Sequence, residues 1–261
     1  METYSHSKIE TFENCKLKYK YKYIDKIIPE VPKSIEAHLG SSVHKALEEL
    51  YKSVMDKKIP TIEEVIKFYS EEWETTFSKE ISIMDKTMTA KDYFNRGVEF
   101  LVNYYLKHQP FTDNTIATEE KVEIDLDDEK KLIGYIDRLV HNLGKNEIEI
   151  HDYKTSGSLF SKQKIEQGRQ LALYALAIKE KFGKDKNVAM VWHFLAHDSK
   201  TVIPISNEKL ALVKKQVIEL INEIENTKIF PANKSMLCNW CEYRSMCEAW
   251  KTPRGQGILG I

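Results

Sequence analysis

The sequence predicts a mixed α/β, or α+β, core in which helices flank a central mixed sheet. Two observations carry this. Three short segments of alternating polarity, EEKVEIDL (119–126), KLIGYIDRLV (131–140) and NEIEIHDYK (146–154), sit mid-chain with turn-forming residues between them and read as an antiparallel meander. Apolar residues at helical spacing come before, between and after the strands, and no internal repeat or low-complexity stretch interrupts them.

Taken in order, Ser7-Lys-Ile-Glu10 has the pattern of a capping box, and Ile9, Phe12 and Leu17 behind it predict a short amphipathic helix that includes Cys15. A basic, aromatic stretch, KLKYKYKYIDK (16–26), and a loop holding Pro29 and Pro32 follow. After Gly40, the positions Val43, Leu47, Leu50, Tyr51 and Val54 recur at helical spacing and place His44 one position off the apolar stripe. Thr61-Ile-Glu-Glu64 opens a helix carrying Ile62, Val65, Ile66, Tyr69, Trp73 and Phe77, and another covers about 90–107. Beyond the meander come a helix at about 163–181, a strand NVAMVWHFLAH, a short strand TVIPI and a long helix at 207–226. The expectation is one domain over 1–261, with a helical insertion at 58–112 and a loop-like, cysteine-rich segment at 231–261.

Composition limits the function classes. With 261 residues, 42% of them hydrophobic, the chain can bury a full core. No apolar run approaches the ~20 residues needed to cross a bilayer, and METYSHSKIE lacks the apolar segment of a signal peptide, so a cytoplasmic protein with no membrane partner is expected. A net charge of −1 gives no overall attraction to polyanions, so a nucleic-acid partner needs a local basic patch or metal ions.

The chemistry concentrates in EIEIHDYKTSG (147–157). Residues i and i+2 of a strand share a face, so Asp152 and Lys154 project into whatever Ile148 and Ile150 help to enclose. A lone D-x-K is ordinarily a strand leaving the core. Here Asp137 closes the preceding strand, a polar turn Thr155-Ser-Gly-Ser leaves the pair open to a cleft, and His44 can face the same cleft. Two carboxylates, an imidazole and an ammonium fit together around a divalent cation: Mg²⁺ or Mn²⁺ takes oxygen ligands, and imidazole biases the site towards Mn²⁺. Such a centre neutralises charge on a phosphodiester, with Lys154 orienting a water or stabilising the transition state. Glu119 or Glu120 offers one more carboxylate, or is a solvated strand-edge glutamate.

These residues carry a family resemblance. Asp137 followed by Asp152-Tyr-Lys154 resembles the PD-(D/E)XK nuclease signature, and GSSVHKALEELY, GYIDRL, HDYKTSG and Gln170-Leu-Ala-Leu-Tyr174 are similar to the motifs of its RecB-like branch. The opening SHSKIETFENCKLKYKYKYI (5–24) also looks like that of RecB-type nucleases, while 58–112 matches no motif. The resemblance implies a restriction-endonuclease-like core in which His44, Asp137, Asp152 and the Tyr153 carbonyl bind metal and Lys154 is the catalytic base partner. It implies that Gln170 and Tyr174 position the scissile phosphate or Lys154; Tyr174 as plain core is the other reading. The function implied is that of a Mg²⁺- or Mn²⁺-dependent deoxyribonuclease, an exonuclease on single-stranded DNA ends in repair, recombination or phage DNA processing. The alternatives are a CRISPR adaptation nuclease that trims prespacers with protein partners, and a degenerate, non-catalytic nucleic-acid-binding domain.

The only cysteines are Cys15, Cys238, Cys241 and Cys247, the last three spaced C-x2-C-x5-C. Four thiolates bind Zn²⁺ or an iron–sulfur cluster, and the spacing does not separate the two. One early and three late cysteines around a RecB-like core resemble the iron–sulfur nucleases, among them AddB, exonuclease V and the fourth CRISPR-associated protein family, which implies a [4Fe–4S] cluster joining the N- and C-terminal segments. On a helix after Cys15, Lys16, Lys18, Lys20 and Lys22 alternate with Tyr19 and Tyr23, a pattern suited to phosphates and stacked bases and equally to a solvated basic helix with its tyrosines in the core.

Overall fold

The computed structural model describes residues 2–29, 33–159, 161, 165 and 168–251. Pro32, the expected helix start at 163 and the tail from 252 lie outside them.

Strand β1 (Glu2–Tyr4) leads into α1 (His6–Asn14) and α2 (Lys16–Tyr19), which continues as a π-helical turn over Lys20–Ile24. The cap of α1 is Ser5, whose Oγ accepts the Lys8 N–H at 3.1 Å, so the expected box at Ser7 is displaced by one earlier serine. Cys15 ends this helix in an extended conformation rather than lying inside it. Three long helices follow: α3 (Ile35–Met55), α4 (Ile62–Thr76) and α5 (Ala90–His108). Helices α4 and α5 each open on a reciprocal capping box, Thr61 with Glu64 and Thr89 with Asp92, which satisfies backbone donors that a helix start leaves free.

The meander is present as β2 (Thr115–Asp125), β3 (Lys130–Asn142) and β4 (Glu147–Lys154), followed by α6 (Arg169–Phe182), β5 (Asn187–Phe194), β6 (Ser199–Pro204) and α7 (Asn207–Asn226). Strand β5 stops at Phe194, because Leu195–His197 turn into a short 3-10 helix. The sheet is mixed: β2–β3, β3–β4 and β5–β6 pair antiparallel, whereas β4–β5 and β1–β3 pair parallel.

Two cores lie on its two faces. Ile148, Ile150 and Trp192 pack with Ile9 and Phe12 of α1, Leu173 and Ile178 of α6, and Val213, Val217 and Ile221 of α7. On the opposite face, Tyr153 and Leu195 join Val43, Leu47, Leu50 and Tyr51 of α3, Val65, Tyr69 and Trp73 of α4, and Leu101 and Tyr104 of α5. Each such fully buried side chain contributes roughly 1.5–3 kcal/mol. Residues 58–112 therefore supply two of the three helices of one layer. Among the described residues no helix is long and apolar enough to cross a membrane.

One edge of β3 carries two neighbours. Strand β1 pairs with Lys130–Leu132 and β4 with Arg138–Asn142, which leaves 133–137 between them. The β3–β4 ladder ends at the rung Arg138↔His151, although β4 runs on beside β5 as far as Lys154↔Phe194.

Candidate active site

Asp137 and Asp152 come immediately after that last rung. Asp137 does not close β3, which extends five residues past it; it lies where β4 peels away. Its Oδ2 accepts the Tyr153 N–H at 2.9 Å, so a side chain takes over where ladder hydrogen bonding stops. His44 of α3 reaches the same point. Its Nε2 donates to the Tyr153 carbonyl at 2.8 Å, and its Nδ1 lies 3.4 Å from Asp137 Oδ2. Burial alone pushes the imidazole pKa down, but the Asp137 carboxylate overrides this and raises it to about 9. Burial pushes Asp137 the other way, and the facing His44 holds its carboxyl below the usual range. Helix α3 can come this close because Gly40, one turn before His44, has no side chain; a Cβ there would sit 3.2 Å from Thr155 Oγ1.

Lys154 donates to Asp152 Oδ1 at 2.8 Å and lies 2.7 Å from Oδ2. Burial raises Asp152 to about 6, with Lys154 pulling against it, and Lys154 is itself raised because Asp152 outweighs its burial. Asp152 Oδ2 is buried and, among the described residues, receives no directed hydrogen bond. Glu119, opposite Asp137 on β2, completes the cluster: ligand atoms of His44, Glu119 and Asp137 all lie within 4.8 Å of one another. Burial, reinforced by Asp137, raises the Glu119 carboxyl. Its φ of 46° is left-handed, which for a residue with a side chain costs on the order of 1–3 kcal/mol and is a mark of functional positions. Glu120 points elsewhere and pairs with Lys181. An acid-rich cluster with one imidazole and a peptide carbonyl matches the donors that Mg²⁺ or Mn²⁺ takes.

Helix α6 brings Gln170 and Tyr174 to the same place. Gln170 Nε2 donates to the Tyr174 hydroxyl at 3.5 Å, and the Tyr174 ring lies against Gly134, in the stretch of β3 edge that neither β1 nor β4 covers. A groove of about 1400 Å³ opens beside Lys154 and Gln170, with His6 and Glu13 of α1, Arg169, and Lys209 and Gln216 of α7 on its walls.

The four cysteines, 15, 238, 241 and 247, line one cavity of about 280 Å³. Two sulfurs receive backbone N–H groups, Cys15 from Asn233 and Cys238 from Ser235, each at 3.4 Å. Glu242 pairs with Lys18 and Lys22, and the Tyr243 hydroxyl donates to the Ile27 carbonyl, so the segments around Cys15 and Cys241 are also joined without the thiols. The basic stretch is less open than its pattern suggests. Tyr19 is 3% exposed and packs against Phe12, Tyr23 and Phe230, so it is a core residue rather than a platform for bases. Lys16 pairs with Glu223 and Lys20 with Asp25, so each of the four lysines already faces an acid.

Sequence reasoning missed a polar network behind the site: Arg138, His151 and His193, all buried. Little in the sequence signals it, since His151 alternates with Glu147 and Glu149 on the polar side of its strand and Arg138 follows the charged Asp137.

The chain belongs to the PD-(D/E)XK nuclease superfamily, whose family model matches residues 3–248. Among solved structures, that of a candidate exonuclease from Eubacterium rectale is similar over 93% of this chain and 88% of that one, with a TM-score of 0.53 and 13% identity, a likeness of fold. The structure of SSO0001 aligns over 82% of this chain and 86% of that one at 14% identity, with a TM-score of 0.39. No curated protein matches the chain.

Proposed function

We propose that the protein is a divalent-metal-dependent deoxyribonuclease that hydrolyses phosphodiesters at single-stranded DNA ends, and that it belongs to the RecB-like branch. The observation that supports this most is the gathering of His44, Glu119, Asp137, the Tyr153 carbonyl and the Asp152–Lys154 pair at the point where β3 and β4 separate. His44, Asp137, Asp152 and the Tyr153 carbonyl would hold Mg²⁺ or Mn²⁺, with Glu119 beside them. The ion supplies Lewis-acid neutralisation of the phosphodiester's negative charge.

The chain's own residues do the rest. Asp152 holds the Lys154 ammonium at the mouth of the groove, where it can orient the attacking water and offset charge on the pentacovalent phosphorus. Gln170 and Tyr174 fix α6 against the open edge of β3 and keep the scissile phosphate in reach of Lys154. The four cysteines bind a structural [4Fe–4S] cluster, which their shared cavity and the N–H donors to two sulfurs favour.

The test is digestion of 5′- and 3′-end-labelled single- and double-stranded DNA with Mn²⁺, Mg²⁺ or chelator. Metal-dependent release of mononucleotides or short oligonucleotides from single strands is the expected outcome. Binding of DNA without cleavage in any metal would leave a non-catalytic nucleic-acid-binding domain in its place.

A further inference from the structure

Arg138 is 1% exposed and sits one residue after Asp137; His151, 3% exposed, sits one residue before Asp152. Burying a cation is unfavourable, and a Leu or Met at 138 would fill the same space without that penalty. The hydrogen bonds around Arg138 indicate what is gained. A guanidinium only donates, and Arg138 NH2 lies 2.8 Å from His151 Nδ1, so that nitrogen is the acceptor. His151 therefore carries its proton on Nε2 and donates it to Glu149, 3.1 Å away. His193 Nε2 lies 2.8 Å from the same Nδ1, whose single lone pair it shares with the guanidinium. The other end of Arg138 donates to Asp113 and to Thr115 Oγ1 at the start of β2, and its guanidinium lies 3.9 Å from the Tyr51 ring centre. Tyr51 is on α3, seven residues after His44 and hence on nearly the same face. Arg138 thus ties β2, β3, β4 and α3 together, and His151 adds β5 through His193.

We infer that Arg138, with His151 and His193, is a positioning network: it locks the last rung between β3 and β4, fixes α3 over it, and so sets the spacing of His44, Asp137, Asp152 and the Tyr153 carbonyl. Successive strand residues face opposite sides, so Arg138 and His151 act on Asp137 and Asp152 through the backbone, while the His193 ring packs 5.2 Å from that of Tyr153. The inference rests on the metal-dependent nuclease reading of the site.

The test is Mn²⁺ affinity, measured by calorimetry without substrate. Arg138→Met keeps volume and removes the donors; it should weaken Mn²⁺ binding by about tenfold or more while the far-ultraviolet circular dichroism stays native. Arg138→Lys, which cannot span His151 and Asp113 with one planar fork, should not restore affinity. His193→Phe removes one donor to His151, keeps the packing, serves if Arg138→Met does not fold, and should weaken binding in the same direction. Val217→Ala, in the core on the other face, controls for lost stability: it should lower the melting temperature and leave Mn²⁺ affinity unchanged. Natively folded Arg138→Met or His193→Phe binding Mn²⁺ within about twofold of wild type would overturn the positioning role alone. A wild-type protein that neither binds Mn²⁺ nor cuts DNA would overturn both readings.

Discussion

The Tyr174 ring fills the space that Gly134 leaves open: a Cβ on Gly134 would lie 2.1 Å from Tyr174 Cε1 and 2.7 Å from its hydroxyl oxygen. The phenol lies over bare backbone at the uncovered edge of β3. Gly134→Ala should therefore destabilise the protein by about 1–3 kcal/mol and lower activity, because Tyr174 must move. Adding Tyr174→Ala should recover part of the stability but none of the activity. A denaturant double-mutant cycle with no coupling between the two positions would show that they do not compete for this space.

Lys154→Ala and Asp152→Asn should each reduce cleavage by about 100-fold or more, with native circular dichroism. Both side chains are largely buried against each other, so some loss of melting temperature is expected as well. Wild-type turnover by either variant would remove the pair from the chemistry.

His44→Ala should raise the Mn²⁺ concentration for half-maximal activity by about 10- to 100-fold while approaching wild-type rates at saturation. Chelator should abolish wild-type cleavage, and added Mn²⁺ should raise its melting temperature, since a ligand bound only to the folded state stabilises it. Superimposable Mn²⁺ titrations of wild type and His44→Ala would exclude this histidine as a ligand.

His108 gives a pH signature. Burial, reinforced by Arg138, lowers its pKa to about 4, whereas an unfolded histidine titrates near 6.5. The unfolded chain therefore binds the extra proton between these values, so the stability this neutral histidine contributes is complete above about pH 6.5 and lost as pH falls towards 4. His151 and His193 are lowered in the same direction, chiefly by burial. His108→Phe keeps the stacking on Tyr104, at a ring separation of 4.1 Å, and should lose less melting temperature between pH 7 and pH 5 than wild type. Parallel melting curves for the two proteins across that range would show that His108 does not contribute.

Cys15→Ser should cost as much as Cys241→Ser, although 225 positions separate them, because both line one cavity. Each should bleach a broad absorbance near ~400 nm, remove iron and lower the melting temperature. Full iron content and colour in Cys15→Ser would exclude it as a ligand, and one equivalent of zinc in place of iron would replace the cluster with the alternative metal.

The meander, the helix spans and the capping of α4 were legible because each depends on local pattern: alternation of two, spacing of three to four, and a Thr-x-x-Glu start. The separation of β3 from β4 was not, because pairing between strands is non-local and LIGYIDRLV reads as an unbroken strand. Asp137 consequently read as a strand end when it lies mid-strand. Tyr19 failed as a base-stacking candidate for a related reason: a helical wheel shows which residues share a face but not that Phe12 and Phe230 cover it. The choice between Glu119 and Glu120 needed the structure, since strand alternation sends the two glutamates to opposite faces without saying which of them faces Asp137 and which Lys181.

Helix α1 is a partition. Ser7, Thr11 and Asn14 face the cysteine cavity, His6 and Glu13 face the groove at Lys154, and Glu10 borders both. The residues that line the other side of the cysteine cavity, within 232–250, are translated some 80 residues after Lys154. A nascent chain therefore holds Asp137, Asp152 and Lys154 well before the far wall of the cysteine cavity has been made.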